Sequence, residues 1–246
     1  MMTFLVFVVG AVAGSVANAI IYRVPRGVSW YKGRSFCPQC NHTLGFYDLL
    51  PIASYLMLRG KCRYCYSPIP YRYLLVELFL GSAFAVSYLS NLGGLSYRMI
   101  WITTVIAVMD WETMLVSDWM VLVWGGLVVF QKFSIYNLQF SINSTISNFQ
   151  YPILGLMIGL FSIGGIWLIT KKKAMGSGDI GIAGVLGIWL SYPKIITALW
   201  LAFVIGGIYG GYLLITKKAS LKTTVPFGPF LILGGWIAYT LNYGIF

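Results

Sequence analysis

The sequence has few charged residues, and acidic residues are especially scarce. Only 9% of its 246 residues are charged, while 59% are hydrophobic. A soluble domain of this length would carry roughly a quarter charged residues. This shortage excludes an ordinary soluble domain and indicates a membrane protein.

Apolar runs close to the ~20 residues that cross a bilayer core follow one another along most of the chain. The sequence predicts an all-α polytopic membrane protein with about eight transmembrane helices. The predicted spans are 3–22, 74–91, 99–117, 119–133, 152–170, 179–192, 195–216 and 226–243. The spans 119–133 and 179–192 are short, and short helices are tolerated where they line a protein-enclosed or watery cavity. The polar segment 134–151 is predicted to be an outer loop.

The basic residues are distributed unevenly between the predicted loops. The first span has no Lys or Arg before it and meets Arg23 and Arg26 directly after it. Alternating the spans from an outside N-terminus places fourteen of the seventeen basic residues inside, and only Arg98, Lys132 and Lys194 outside. Such a bias is the topology signal of a membrane protein. We therefore interpret the net charge of +11 as topology and contact with membrane lipid, and predict no nucleic-acid partner.

The segment between the first two spans differs from the rest of the chain. We divide the chain into a first transmembrane helix (1–22), a cytoplasmic loop (23–73) and a seven-helix membrane part (74–246). The loop holds two CxxC pairs, Cys37, Cys40, Cys62 and Cys65. This spacing is typical of a structural zinc site with four thiolate ligands. Two disulfides are the alternative, which a reducing cytoplasm disfavours. His42, the one histidine, is not expected to be a ligand.

The chain has six carboxylates: Asp48, Glu77, Asp110, Glu112, Asp118 and Asp179. Ionisable groups at membrane depth are costly, so those that lie there are candidates for function. Asp110 lies deep in the third span, and Asp179 ends the string Gly176-Ser177-Gly178-Asp179. Two carboxyl groups that share one proton can activate water and polarise a peptide carbonyl. Asp110 and Asp179 are the candidate pair, with a cation or proton relay as the alternative.

The other acids have simpler interpretations. Asp118 would lie about 12 Å from Asp110 on a continuous helix, too far to share a proton. Asp118 and Glu112 are expected at the solvated interface. Glu77 is interpreted either as an ion-pair partner of Arg72 or as a substrate or cofactor contact, and Asp48 is interpreted as an exposed loop or cap residue.

The ordered motifs resemble those of one family, the bacterial type IV prepilin peptidases. In chain order they are Gly14-Ser15-Val16-Ala17-Asn18 with Arg23 and Pro25, the Cys37 pair, Leu50-Pro51-Ile52-Ala53-Ser54-Tyr55, Arg59-Gly60-Lys61-Cys62, Tyr71-Arg72-Tyr73 with Val76-Glu77-Leu78, the two aspartates, and Pro226-Phe227-Gly228-Pro229-Phe230. Val16-Ala17 replaces a bulkier pair of the family's opening signature, and Ser117 stands where a proline is usual before the second acid of the first motif.

The resemblance implies both an activity and a location. Family members are membrane aspartic peptidases of the bacterial inner membrane that remove the basic leader of prepilins or pseudopilins after a glycine. Members with the cysteine loop generally also methylate the new N-terminus with S-adenosylmethionine. Asp110 and Asp179 match the catalytic aspartates, and Glu77, Asp118, Gly176 and Gly178 are candidates for a substrate or methylation role. No nucleotide-binding fingerprint identifies the residues that bind S-adenosylmethionine. The alternative is a zinc-stapled membrane transporter or pilus assembly factor without peptidase activity.

Overall fold

The structure is a computed structural model that describes residues 1–90, 94–138, 145–171, 175–217 and 223–241. Within these ranges the regular structure is helical, with two isolated β-bridges and no strand, as predicted. The α-helices are α1 (Met2–Arg23), α2 (Ala53–Met57), α3 (Arg72–Leu89), α4 (Gly94–Thr113), α5 (Asp118–Leu138), α6 (Thr145–Ile169), α7 (Ser177–Leu190), α8 (Lys194–Ile215) and α9 (Gly228–Thr240). The eight predicted spans correspond to α1 and α3 to α9, and the short α2 lies in the cysteine loop.

Four stretches in the described residues are long and apolar enough to cross a membrane. They are Met2–Arg26, Arg72–Leu89, Gln150–Ile169 and Lys194–Ile215. The apolar helix α7 has 14 residues, or about 21 Å at 1.5 Å per residue. The prediction that the sixth apolar segment is short is therefore confirmed.

Four predicted boundaries are wrong, the first of them the start of α4, which lies at Gly94 rather than at residue 99. Helix α5 has 21 residues because the helix continues past Gln131 and Lys132, where the apolar run ends. Helix α4 ends at Thr113, and Met114 has a left-handed φ of 52°, so residues 114–117 form a turn rather than the end of a span. Helices α5 and α6 also take up both ends of the predicted loop 134–151.

Several predictions concern residues outside the described ranges. Residues 139–144, the centre of that predicted loop, are among them, and so are the predicted span ends Asn91 and Tyr243. Of the predicted inner lysines, Lys172, Lys173, Lys218 and Lys222 also lie outside the described residues, whereas Lys171 and Lys217 lie within them.

The chain forms two compact units, Met1–Val105 and Ile106–Phe246. In the first unit α1 packs along α3. The backbones approach so closely that a Cβ on Gly14 would lie 2.7 Å from Glu77 Cα. Trp101 Nε1 donates a hydrogen bond of 2.9 Å to the Ala13 carbonyl and fixes the first part of α4 to α1. The first unit thus combines the cysteine loop with α1, α3 and most of α4.

The second unit is arranged around α7. This helix packs against α5, α6, α8 and α9, and α8 packs along α9. On the α6 side the contact is between backbones, because a Cβ on Gly155 would clash with the Gly187 carbonyl and a Cβ on Gly159 with the Ala183 carbonyl. Small residues of this kind let membrane helices approach closely. The contact fixes the register of α7, which carries Asp179, against α6.

We expect Gly159→Ala to destabilise the second unit. The new methyl group would meet the Ala183 carbonyl, and overpacking of this kind costs about 1–3 kcal/mol. Gly165→Ala on the same helix is the matched control, since a Cβ there has nothing within 4 Å. Thermal unfolding of the purified variants in detergent should show a lower melting temperature for Gly159→Ala alone. Equal melting temperatures would contradict the close packing of α6 on α7.

Candidate active site and zinc site

The two CxxC pairs adopt the same backbone geometry. In the first, the Cys37 N–H donates to the His42 carbonyl at 3.0 Å, and the Asn41 N–H donates back to the Cys37 carbonyl at 2.9 Å. The second pair repeats this pattern with Cys62 as the first cysteine. An isolated β-bridge flanks each pair, Phe36 with Thr43 and Lys61 with Pro68. Each pair is therefore a tight turn that presents two thiols on one side.

The four thiols converge on one point. The sulfur atoms of Cys37, Cys40, Cys62 and Cys65 all lie within 4.8 Å of one another. The separation of Cys37 Sγ from Cys65 Sγ is 3.9 Å, close to the ~3.8 Å edge of a tetrahedron with zinc–sulfur bonds of about 2.3 Å. The donor set and its spacing fit a structural zinc ion, and no histidine joins the group.

Ionisation of the thiols is uneven. Burial opposes ionisation of Cys37, but the backbone N–H groups of Cys40 and Gln39 outweigh it and lower the pKa of Cys37 to about 6. The backbone N–H of His42 favours ionisation of Cys40, yet burial and the neighbouring Cys65 and Cys37 together raise the pKa of Cys40 to about 11. A metal ion bound between the four sulfur atoms would favour the thiolate form of all of them.

The Arg23 side chain holds the first part of the cysteine loop in shape. The buried Arg23 guanidinium donates to the carbonyls of Ser29, Trp30, Lys32 and Arg34 at 3.0–3.4 Å. Five N–H donors in a planar fork make arginine suited to this task. The residue at the end of α1 therefore organises the segment that leads to the first CxxC pair.

Asp48 has the cap role predicted from sequence, but the prediction that it is exposed is wrong, because Arg63 and Tyr64 also hydrogen-bond to its carboxylate. Its Oδ2 accepts a hydrogen bond of 3.1 Å from the Gly45 N–H, and its Oδ1 accepts one of 2.8 Å from Arg63 Nε. The Asp48 side chain is only 5% exposed. His42 stacks on Tyr64 with ring centroids 3.7 Å apart. Both contacts bring the two halves of the cysteine loop together.

Glu77 contacts the cysteine loop. Its Oε2 accepts a hydrogen bond of 2.7 Å from the Ile52 N–H, and Ser15 of α1 also hydrogen-bonds to the carboxyl group. Ile52 has φ 62° and ψ −52°, and the Ala53 N–H bonds back to the Pro51 carbonyl. This is a γ-turn with positive φ, a strained conformation for a β-branched residue. The buried Glu77 carboxylate stabilises that turn, a role that the sequence did not suggest.

Asp110 lies one turn before the end of α4 and is 4% exposed. Its Oδ2 accepts a hydrogen bond of 3.1 Å from the Gly228 N–H, the first residue of α9. A Cβ on Gly228 would lie 2.6 Å from this oxygen and 3.0 Å from Ile182 Cδ1 of α7. Gly228 therefore packs between the catalytic candidate Asp110 and α7, the helix that carries Asp179 in its first turn.

Asp179 lies in the first turn of α7 and is 6% exposed. Its Oδ2 accepts a hydrogen bond of 3.1 Å from the Gly176 N–H, so the carboxylate caps its own helix at the end where negative charge is favoured. Gly178 packs on the turn after α4, since a Cβ there would lie 2.5 Å from Val116 Cβ. Both glycines thus have a local structural role.

The two candidate aspartates belong to the same unit and interact. The charge of Asp110 acts directly on Asp179. In each carboxylate one oxygen is held by a backbone N–H, which fixes its orientation. Two buried carboxyl groups that repel each other favour a state in which one of them carries a proton.

Asp110 and Asp118 do not lie on the one continuous helix that the sequence predicted, because α4 ends at Thr113 and Asp118 begins α5. The helical rise therefore does not separate these two residues. The reason to prefer Asp179 is instead its interaction with Asp110 and the shared contact of both helices with Gly228.

The hydrogen bond from Gly228 is the part of this site that sequence reasoning missed. A backbone N–H has no sequence signature, and the Pro226–Phe230 segment carried only a resemblance. This segment also contributes to an aromatic cluster. The ring centroid of Phe230 lies 6.1 Å from that of Trp111 and 5.5 Å from that of Tyr209. The site is thus a pair of buried carboxylates beside an apolar, aromatic wall.

Comparison with known proteins assigns the family. Residues 8–91 match the bacterial peptidase A24 N-terminal domain, and residues 97–211 match the type IV leader peptidase family. A prepilin leader peptidase/N-methyltransferase of Aeromonas hydrophila is 30% identical over 268 residues, which cover 95% of this chain and 89% of that protein. The chain belongs to the type IV leader peptidase family. The resemblance drawn from the motifs is confirmed.

Further relatives of this type IV leader peptidase carry the same name. One from Neisseria gonorrhoeae is 30% identical over 275 residues, with 96% of this chain and 89% of the relative covered. One from Pseudomonas putida is 29% identical over 263 residues, with 94% and 88% covered. No solved structure matches the chain. Both candidate aspartates lie in the part that matches the peptidase family, and all four cysteines lie in the part that matches the N-terminal domain.

Proposed function

We propose that this chain removes the leader of prepilin-like substrates and methylates the N-terminus that cleavage creates. The observation that carries the peptidase half is the pair Asp110 and Asp179, two buried, interacting carboxylates oriented by backbone N–H groups. Family membership and the names of the relatives support both halves.

In this mechanism one aspartate is ionised and the other is protonated. The ionised carboxylate takes a proton from a water molecule as the water attacks the carbonyl carbon of the scissile bond, and the protonated carboxyl donates its proton to the carbonyl oxygen. Collapse of the tetrahedral intermediate transfers a proton to the leaving nitrogen and breaks the C–N bond. The products are a leader with a new carboxylate and a pilin with a free amino group. The proton is shared by the dyad and is assigned to neither residue.

The substrate's apolar helix docks beside the dyad in this proposal. The aromatic wall formed by Trp111, Tyr209 and Phe230 suits an apolar segment, and Trp111 is 46% exposed. Gly176 and Gly178 precede Asp179 and are proposed to let an extended leader approach the dyad closely. Asp118, at the start of α5, is proposed to contact the leader there.

For methylation, the described residues do not define a site for S-adenosylmethionine, so no residue is assigned to it. The cofactor would supply the methyl group for the new amine. The cysteine loop (23–73) is proposed to be associated with this activity, and the part of the chain from residue 74 onward with proteolysis. Glu77 is proposed to support methylation indirectly, because its carboxylate holds Ile52 of the cysteine loop in place.

The chain is proposed to lie in the bacterial inner membrane with its N-terminus outside and its cysteine loop in the cytoplasm. The bias of Lys and Arg supports this orientation. Prepilin leaders are themselves basic, so the basic loop is better matched to anionic lipid headgroups. The alternative of a transporter or assembly factor without peptidase activity is not favoured, because the chain belongs to a peptidase family.

We expect Cys62→Ser to lower zinc content. Removing one of four thiolates leaves an incomplete tetrahedron, and zinc affinity should fall by at least about tenfold. His42→Ala is the matched control, because this side chain stacks on Tyr64 outside the group of four thiols. Metal analysis of the purified proteins measures the effect. Zinc content equal to that of the unmodified chain in Cys62→Ser would contradict the ligand set.

The proposed function is tested with purified chain, a prepilin and S-adenosylmethionine in detergent. Intact-mass measurement of the product should show loss of the leader and the gain of one methyl group. Omitting S-adenosylmethionine should leave cleavage and abolish only the methyl gain. A prepilin that stays intact while the chain is folded and zinc-loaded would refute the peptidase assignment, and a cleaved product without the methyl group would refute the second activity alone.

A further inference from the structure

A cleft in the second unit lies at the opposite end of α7 from Asp179. It lies among α5, α6 and α7 and has a volume of about 180 Å³. Lys132 is one of its lining residues, and the other six are apolar, among them Val129, Leu156 and Ile188. Its outer rim is exposed, with Val129 at 53% and Ile153 at 56%. A cleft with an apolar wall and a single cation fits an amphiphile better than a small polar ion.

Lys132 is held at the edge of this cleft together with a second lysine. Its Nζ donates a hydrogen bond of 3.0 Å to Ser191 Oγ, just after α7. The charge of Lys194, the first residue of α8, acts on the same ammonium group. Ser191 takes one of the three donors of the Lys132 ammonium. The two lysines therefore form a concentrated positive charge at the end of an apolar cleft.

Among the described residues of this unit, the Asp and Glu side chains lie far along the chain from the two lysines. Asp118 begins α5, fourteen residues before Lys132, which is about 21 Å along the helix. Asp179 is twelve residues before Ser191, about 18 Å along and beyond α7, and Asp110 lies with Asp179. Glu112 follows Asp110 by two residues. The described residues of this unit therefore place no carboxylate beside the lysine pair, which leaves its charge available to a bound anion.

The neighbouring tyrosines indicate that this end of the cleft lies at the level of the lipid headgroups. The Tyr192 N–H donates to the Tyr151 carbonyl at 3.1 Å, so the start of α6 and the end of α7 lie side by side. Both tyrosines are substantially exposed, at 42% and 52%. Exposed tyrosines are enriched where membrane helices meet the headgroups. The lysine pair is then level with lipid phosphates, and the apolar cleft is level with acyl chains.

We propose that this cleft binds an anionic phospholipid, with its phosphate between Lys132 and Lys194 and part of one acyl chain along Leu156 and Ile188. The cleft volume is several times the roughly 30 Å³ share of one liquid water, enough for a short part of a chain. Two like charges close together favour a headgroup with net negative charge over a zwitterionic one. The lipid would also tie the ends of α5, α6 and α7 together.

The test compares lipids on the intact, purified chain. Phosphatidylglycerol, phosphatidylcholine and inorganic phosphate are added separately in detergent, and binding is followed by thermal unfolding and by native mass spectrometry. Phosphatidylglycerol should raise the melting temperature and remain bound, whereas the other two should have little effect. A shift with inorganic phosphate alone, or an equal shift with phosphatidylcholine, would overturn the proposal.

Variants locate the binding. Lys132→Gln and Lys194→Gln should each weaken phosphatidylglycerol binding by about fivefold, and Lys132→Arg should retain most of it. Leu156→Trp fills the cleft and should also weaken binding. Lys171→Gln, after the other end of α6, removes the same charge elsewhere and should bind normally. Prepilin cleavage in detergent reports whether each variant is folded. Equal lipid binding by all folded variants would refute the site.

Discussion

Asp110→Asn and Asp179→Asn are each expected to lower prepilin cleavage by about 10³-fold or more, in line with the loss of a positioned acid or base. Asparagine keeps the shape of the side chain and can still accept the N–H of Gly228 or Gly176, so the fold should be retained. What is lost is the carboxyl group that accepts or donates the proton. The measurement is the rate of leader removal from a prepilin at matched enzyme levels.

Glu112→Gln is the matched control for this pair. It makes the same chemical change two residues from Asp110, at an exposed position of the same helix. Cleavage by this variant should stay near that of the unmodified chain, with a similar melting temperature for all three variants. If either aspartate variant cleaves at the normal rate, the dyad is wrong and the peptidase uses other groups.

Gly228→Ala is expected to lower cleavage by about 10²-fold without changing any ionisable group. The added methyl carbon would lie 2.6 Å from Asp110 Oδ2 and 3.0 Å from Ile182 Cδ1. The carboxylate has to move away from the backbone N–H that orients it, and misplacing a catalytic group by about 1 Å can cost 10²-fold in rate. The measurement is again the rate of leader removal.

A control from α8 separates catalysis from folding here. Gly207→Ala adds the same methyl group in a helix where a Cβ has nothing within 4 Å, and it should cleave normally. Gly228→Ala should retain zinc, because the four cysteines belong to the other unit. Normal cleavage by Gly228→Ala would show that the Asp110 carboxylate tolerates displacement, and the role given to this glycine would fail.

The sequence predicted the parts of the fold that depend on local patterns. Eight helices follow apolar runs, and the two CxxC pairs converge because each pair folds as its own tight turn. The errors arose where the end of an apolar run is not the end of a helix. Helix α5 continues through Gln131 and Lys132 because a polar residue can end an apolar run without ending a helix. The break after Thr113 has no glycine or proline to announce it.

The candidate site was predictable in its residue types but not in its supports. Scarcity identified Asp110 and Asp179, since a buried acid in an apolar chain needs a reason. The backbone groups that orient them could not be read from the sequence, because every residue except proline has an N–H. The same holds for Glu77, whose carboxylate accepts a hydrogen bond from the backbone N–H of Ile52.

The register of α6 on α7 has a consequence for the substrate. A Cβ on Gly164 of α6 would lie 3.8 Å from Ile180, the residue after Asp179. Helix α6 continues five residues further, to Ile169, about 7.5 Å along its axis. Asp179 therefore lies below the end of α6. For the proposed dyad, an extended peptide bond should reach this depth more readily than a bond inside a helix, so we expect high helix propensity around the scissile bond to slow leader removal.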